Sequence, residues 1–197
     1  MFIEKLKEVM KLAYSTSDAE KSREGFTQFA VPAMIKHFKA RIVTSIEDQA
    51  VAFEKWLDCH STIDGLMHTA KGLLTFGSKV QRGINYSAFS IRRSRPSGRP
   101  TEYQKLKAWL DGDSSIYGAE YLVHTFVAAD EKSAVVAIAE TQRVMGKVTE
   151  DKVRSTKDGE TFYYVPWREV EGVRVYRVGD RRQVEDVTAE YMKKILY

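Results

Sequence analysis

A single cysteine, Cys59, in 197 residues leaves no internal disulfide and no cysteine-rich zinc site. Proline occurs four times and glycine twelve times, too rarely for collagen-like or low-complexity chains. No apolar run approaches the ~18 residues of a membrane helix, and the N-terminus carries no signal-peptide core. These absences set the expectation of a soluble, intracellular, cytoplasmic protein. Phosphate-cradling loops of the GxGxxG and GxxxxGK[ST] kinds are missing, and so is the GxSxG elbow of esterases. With 43% hydrophobic and 29% charged residues, the chain has enough apolar material for one compact domain over 1–197.

Charge of one sign is scarce in one place only. Residues 79–107 carry eight basic side chains and a single acidic one, Glu102. Residues 1–78 are balanced and residues 108–197 are slightly acidic, so this stretch accounts for the net charge of +4. Such asymmetry points to a polyanionic partner, nucleic acid first, or else to an acidic protein surface.

Periodicity divides the chain. Phe2, Ile3, Leu6, Val9 and Met10 predict a helix over 2–14, and Ser17 or Asp18 caps a second one ending near Gly25. Pro32 opens what reads as the longest element, a helix over 32–59 with Phe38, Ile42, Ile46 and Phe53 on its buried face. Ser61 or Thr62 then starts a helix through Leu66, Leu73 and Leu74 that stops at Gly77. The first 78 residues are thus expected to form a helical layer.

Beyond Gly77 the pattern turns β-prone. Ile84, Tyr86 and Ala88 alternate, and Phe89 and Ile91 continue on the other parity. Residues 92–100, with two prolines and no large apolar side chain, read as a loop. Thr101 and Gln104 form a capping box for a helix that Gly112 stops. Tyr121 to Ala129 is the clearest strand. Asp130 is read as the cap of a helix through Val135, Ile138 and Met145, with a hairpin over Ala134–Ala139 as the alternative. Lys157-Asp158-Gly159 predicts one hairpin turn, and Glu169–Gly172 a second, between Thr161–Trp167 and Val173–Val178. Val187, Tyr191 and Ile195 mark a closing helix. The fold class is α+β: a helical N-terminal layer (1–78), a basic strand-loop-helix (79–111) and a β-rich part (119–197) with a mostly antiparallel sheet.

Few residues offer chemistry. His60 and His68 lie eight apart, not the four that would put two ligands on one helical face. His37 reads as a core-boundary residue and His124 as a sheet histidine with its hydrogen bonds satisfied. No metal site and no cofactor are expected. Glu169 and Glu171, two apart, resemble the Glu-x-Glu pair of ADP-ribosyltransferases. Their Ser-Thr-Ser strand has no counterpart, since Arg154-Ser155-Thr156 is followed by Lys157, and the pair reads as a solvated turn.

The basic stretch is better furnished. Arg95-Pro96 followed by Gly98-Arg99-Pro100 resembles the core of an AT-hook, with Ser97 where the first arginine of the Arg-Gly-Arg-Pro tetrapeptide would stand. That resemblance implies an extended, arginine-bearing segment suited to a narrow groove. Tyr86, Phe89 and Tyr103 flank the arginines, and cations interleaved with aromatics are the ingredients of single-strand binding. Opposite parity requires one of Tyr86 and Phe89 to face inward.

The candidate nucleic-acid-binding residues are therefore Arg82, Tyr86, Phe89, Arg92, Arg93, Arg95, Arg99, Lys105 and Lys107. The function read from them is a nucleic-acid-binding accessory or packaging protein, with DNA and RNA not distinguished. The alternatives are a structural or assembly subunit of a larger, virion-like complex, as a homo-oligomer or with protein partners, whose basic loop docks an acidic neighbour, and a small enzyme with dispersed site residues.

Overall fold

The structure, a computed structural model, describes residues 16–39, 42–45, 60–70, 72–83, 85–95, 98–156, 159–179 and 182–193. It combines α and β elements around a mostly antiparallel sheet of seven strands. In spatial order these are β1 (Ile42–Ser45), β2 (Gly65–Thr69), β3 (Gly72–Arg82), β5 (Tyr121–Val127), β6 (Ser133–Glu140), β9 (Arg174–Gly179) and β10 (Val184–Asp186). Among the described strands, only the β3–β5 pair is parallel. Its crossover carries β4 (Ala88–Arg92) and a helix, so the basic stretch is the connection that returns the chain to the sheet. A second sheet of three strands runs in the order β4, β8 (Thr161–Pro166), β7 (Val153–Ser155).

The large sheet is covered on both faces. Alternation along β5 sends Val123 and Val127 to one side and Leu122 and Phe126 to the other. On the first side lies a continuous helical segment: α1 (Thr16–Gly25), a π-helical turn (Phe26–Ala30) and α2 (Val31–Phe38). Phe29, Ala30, Ala33 and Met34 are its buried residues, against Phe76, Val136 and Ile138. Gly25 permits the close approach, because a Cβ there would meet Val80 Cγ1 at 2.8 Å. On the second side sit β4 and β8, which contribute Phe89, Ile91, Tyr163 and Val165 to a core shared with Phe126, Val175 and Trp167. Helix α3 (Glu102–Leu110) adds Leu106, and α4 (Thr141–Met145) adds Val144.

The capping box at Thr101 and the strand at Tyr121 lie where the sequence puts them, whereas the second helix does not end near Gly25 but runs on in helical backbone to Phe38. Further expectations are corrected. The 32–59 helix ends at Phe38, where Lys39 turns left-handed (φ 50°), and β1 follows. Residues 65–82 form a hairpin of β2 and β3 rather than a helix, so the 1–78 layer is helical only in part. Ser133–Glu140 is strand β6, the hairpin alternative: Asp130 Oδ1 accepts from Lys132 N at 3.0 Å, capping a tight turn rather than a helix. Strands β8 and β9 also belong to different sheets, so Glu169–Gly172 links sheets instead of closing a hairpin. The proposed 2–14 helix and Phe53 fall outside the described residues.

Candidate nucleic-acid interface

Antiparallel pairing of β4 with β8 sets Ser90 opposite Tyr164 and Arg92 opposite Phe162, so these four share one face of the small sheet. Phe89, Ile91, Tyr163 and Val165 take the other face and enter the core. The two aromatics are separated, one outward and one inward: Tyr86, just before β4, is 60% exposed and Phe89, on it, is 0% exposed. Phe89 packs edge-on to His124 and Trp167, which removes it from any surface.

Along the outer face runs a stripe of rings and cations. Tyr86 meets Tyr164 edge-on at 5.7 Å between centroids, and Tyr164 lies 6.5 Å from Phe162. Phe162 in turn lies beneath two cations, Lys79 Nζ at 4.6 Å and the Arg92 guanidinium at 5.5 Å. Cation–π attraction holds both charges over a ring that is itself buried. Two of these rings come from β8, about seventy residues downstream of Arg92, and no local signal in the sequence pairs them with the basic stretch.

Strand β4 is an edge of the small sheet, and side chains rather than another strand satisfy its outward backbone groups. Lys79 Nζ donates to Ser90 O at 3.1 Å, Ser90 N donates to His124 Nδ1 at 3.3 Å, and Arg92 N donates to Glu102 Oε2 at 3.1 Å. Gln81 Nε2 adds a bond to Ser90 Oγ at 3.3 Å. The histidine is thus a sheet histidine with a structural partner. Burial holds its pKa well below the ordinary value, and the nearby Lys79 charge works in the same direction. Burial also lowers the Lys79 pKa; Glu102, Glu160 and Asp64 oppose that shift and Arg92 adds to it.

The remaining basic residues divide by environment. Arg93 stacks over Tyr163 and donates to its hydroxyl at 3.1 Å, while its other end pairs with Glu150 at 3.0 Å. Those partners, the Tyr163 bond first, raise its already high pKa and keep it charged. Arg92 pairs with Glu160 at 3.5 Å, Arg82 with Glu131 at 3.0 Å, and Lys107 with Asp111 at 2.6 Å. Arg95 is half-buried and Arg99 exposed in the loop before α3. Lys105 is corrected: it is 6% exposed, and its ammonium donates to Ser61 O at 2.7 Å, so it does not continue a basic track along α3.

Glu169 and Glu171 diverge to different cations, Lys152 and Arg143, and form no shared site. Among the described residues no three metal-ligating side chains converge, and no helix is long and apolar enough to cross a membrane. No protein-family model matches the chain, and no curated protein matches its sequence.

Proposed function

We propose that the chain binds single-stranded nucleic acid along the outer face of the small sheet. In this reading Tyr86 and Tyr164 stack with bases, while Arg92, Arg93, Arg95 and Arg99 contact phosphates and Lys107 lies farther along the same path. The observation that carries it is the Tyr86–Tyr164–Phe162 stripe with Lys79 and Arg92 over its buried end. Stacking on an exposed ring contributes roughly 1–3 kcal/mol per base and tolerates any sequence.

The ion pairs of Arg92 and Arg93 do not oppose this. Exposed pairs contribute only ~0–1 kcal/mol, so a phosphate chain can displace Glu150 at small cost, and the half-buried Arg92–Glu160 pair is a long one at 3.5 Å. Bidentate guanidinium–phosphate contacts then gain by releasing counterions from the strand.

The test is a titration of labelled single-stranded DNA and RNA at several salt concentrations, on the wild type and on a variant with Arg92, Arg93, Arg95 and Arg99 changed to alanine. Each lost phosphate contact should flatten the logarithmic salt slope by about 0.7. An unchanged slope and affinity in the quadruple variant would reject the reading and favour an acidic protein partner.

A further inference from the structure

Arg92 and Arg93 are consecutive, yet their guanidinium groups serve opposite faces of the small sheet. Arg92 lies over Phe162, on the face that carries Tyr164, whereas Arg93 lies over Tyr163, whose ring enters the core. Away from the aromatic stripe, Arg93 completes a closed set of three side chains. Its Nε donates to the Tyr163 hydroxyl at 3.1 Å, and that hydroxyl donates to Glu150 Oε1 at 2.7 Å. Arg93 Nη2 donates to Glu150 Oε2 at 3.0 Å. Each oxygen of one carboxylate thus has its own donor.

The donors are fixed by packing and the carboxylate is not. Tyr163 is 3% exposed and lies against Tyr103, with 4.8 Å between ring centroids. Burial first, then the Glu150 bond, hold its pKa above the ordinary value, so the hydroxyl remains a donor near neutral pH. That ring lies beneath Arg93 and that hydroxyl holds it at Nε. Glu150 opens a 3-10 turn (Glu150–Lys152), and its side chain is 71% exposed. Two ordered donors converging on a pair of oxygens are what oxyanion recognition requires, and the exposed carboxylate is the member that yields first.

We propose that Arg93 and Tyr163 form a phosphate subsite that Glu150 occupies in the free protein, which makes Glu150 an internal competitor of the ligand. In the bound form two non-bridging oxygens of one phosphate take the places of the two carboxylate oxygens. The inference rests on the nucleic-acid reading for the source of that phosphate; the subsite itself needs only a phosphate group. It adds Tyr163 to the contacts, on the face opposite the stripe. It also makes affinity depend on a carboxylate that lies outside the basic stretch.

The experiment titrates the full chain at constant ionic strength with inorganic phosphate, read at the Arg93 Nε–H signal by NMR, and with a labelled single-stranded oligonucleotide. Glu150→Gln keeps an acceptor for the Tyr163 hydroxyl and removes the competing charge. It should tighten phosphate binding at Arg93 by up to about fivefold, the ceiling for one exposed ion pair. Tyr163→Phe, which keeps the ring beneath Arg93, should weaken phosphate binding in the Glu150→Gln background. Glu171→Gln removes the same charge from an 89% exposed side chain paired with Arg143, and should change nothing. With the oligonucleotide, the gain from Glu150→Gln should vanish once Arg93 is alanine. An Arg93 signal that phosphate does not move in Glu150→Gln would overturn the proposal, as would a gain that survives Arg93→Ala or is matched by Glu171→Gln. Phosphate binding at Arg93 in a chain that binds no oligonucleotide would support the subsite and reject the nucleic-acid reading. Oligonucleotide binding indifferent to Glu150→Gln would do the reverse.

Discussion

Lys79 and His124 stand opposite one another in the parallel β3–β5 pair and hold the same residue of the other sheet by its two backbone polar groups. Lys79 Nζ donates to Ser90 O, and Ser90 N donates to His124 Nδ1. Two side chains thus do for the β4 edge what a neighbouring strand would do, and they fix where the aromatic stripe lies.

Acid should loosen this attachment. Protonated His124 would lose its acceptor nitrogen and place a second positive charge beside Lys79. Its folded pKa lies below the ordinary value of 6.5, so the unfolded chain binds more protons between the two values. Stability is then complete above pH 6.5 and falls as the pH drops beneath it, by up to ~1.4 kcal/mol per pH unit. His37, whose pKa is also lowered, chiefly by burial, adds with the same sign. Urea unfolding at pH 7.5, 6 and 5 measures the slope. His124→Gln, which keeps an acceptor for Ser90 N, should flatten it to the part owed to His37.

Tyr86 and Phe89 differ by three residues and should behave oppositely. Phe89→Ala empties a position among His124, Trp167 and Phe126 and should cost about 3–5 kcal/mol in chemical denaturation. Tyr86→Ala, at a 60% exposed site, should change stability by no more than roughly 0.5 kcal/mol. Equal losses from the two would mean that the opposite burial of these rings is misassigned.

How much of this was readable beforehand depends on how each residue's signal arises. The capping box at Thr101 and Gln104 is local chemistry, and it stands as read. Ala134–Ala139 is apolar on both parities because β6 is covered on both faces of the sheet, so it shows no alternation, and Asp130 suits a turn as well as a helix start. Leu66, Met67, Leu73 and Leu74 fit a helical period only because the β2–β3 turn falls between them. The end of α2 depends on a left-handed lysine, Lys39, where glycine would have been the recognisable stop. For the site, the arginines and Tyr86 were visible in one stretch. Tyr164 and Phe162 reach them through long-range strand pairing, which composition and periodicity do not encode.

Gly118 offers a test of the packing around α3. A Cβ at this position would overlap the indole of Trp109, on the helix that supplies Glu102 to the β4 edge. Gly118→Ala must displace that ring and should cost about 1–3 kcal/mol by overpacking. Thermal unfolding of the variant measures the loss. Gly98→Ala has open space around its Cβ but a positive φ of 68°, so its cost is backbone strain of roughly 1 kcal/mol.

The most direct measurement is photocrosslinking of a single-stranded oligonucleotide bearing 5-iodouracil to the wild-type protein, with the attached residue identified by mass spectrometry. This chemistry favours an aromatic ring stacked on the base, so it reports the proposed contact itself. Attachment at Tyr86 or Tyr164, suppressed by rising salt and by loss of the four arginines, is the predicted result. Attachment to rings on another face, or none at an oligonucleotide concentration that saturates binding, would contradict the assignment of this stripe as the nucleic-acid surface.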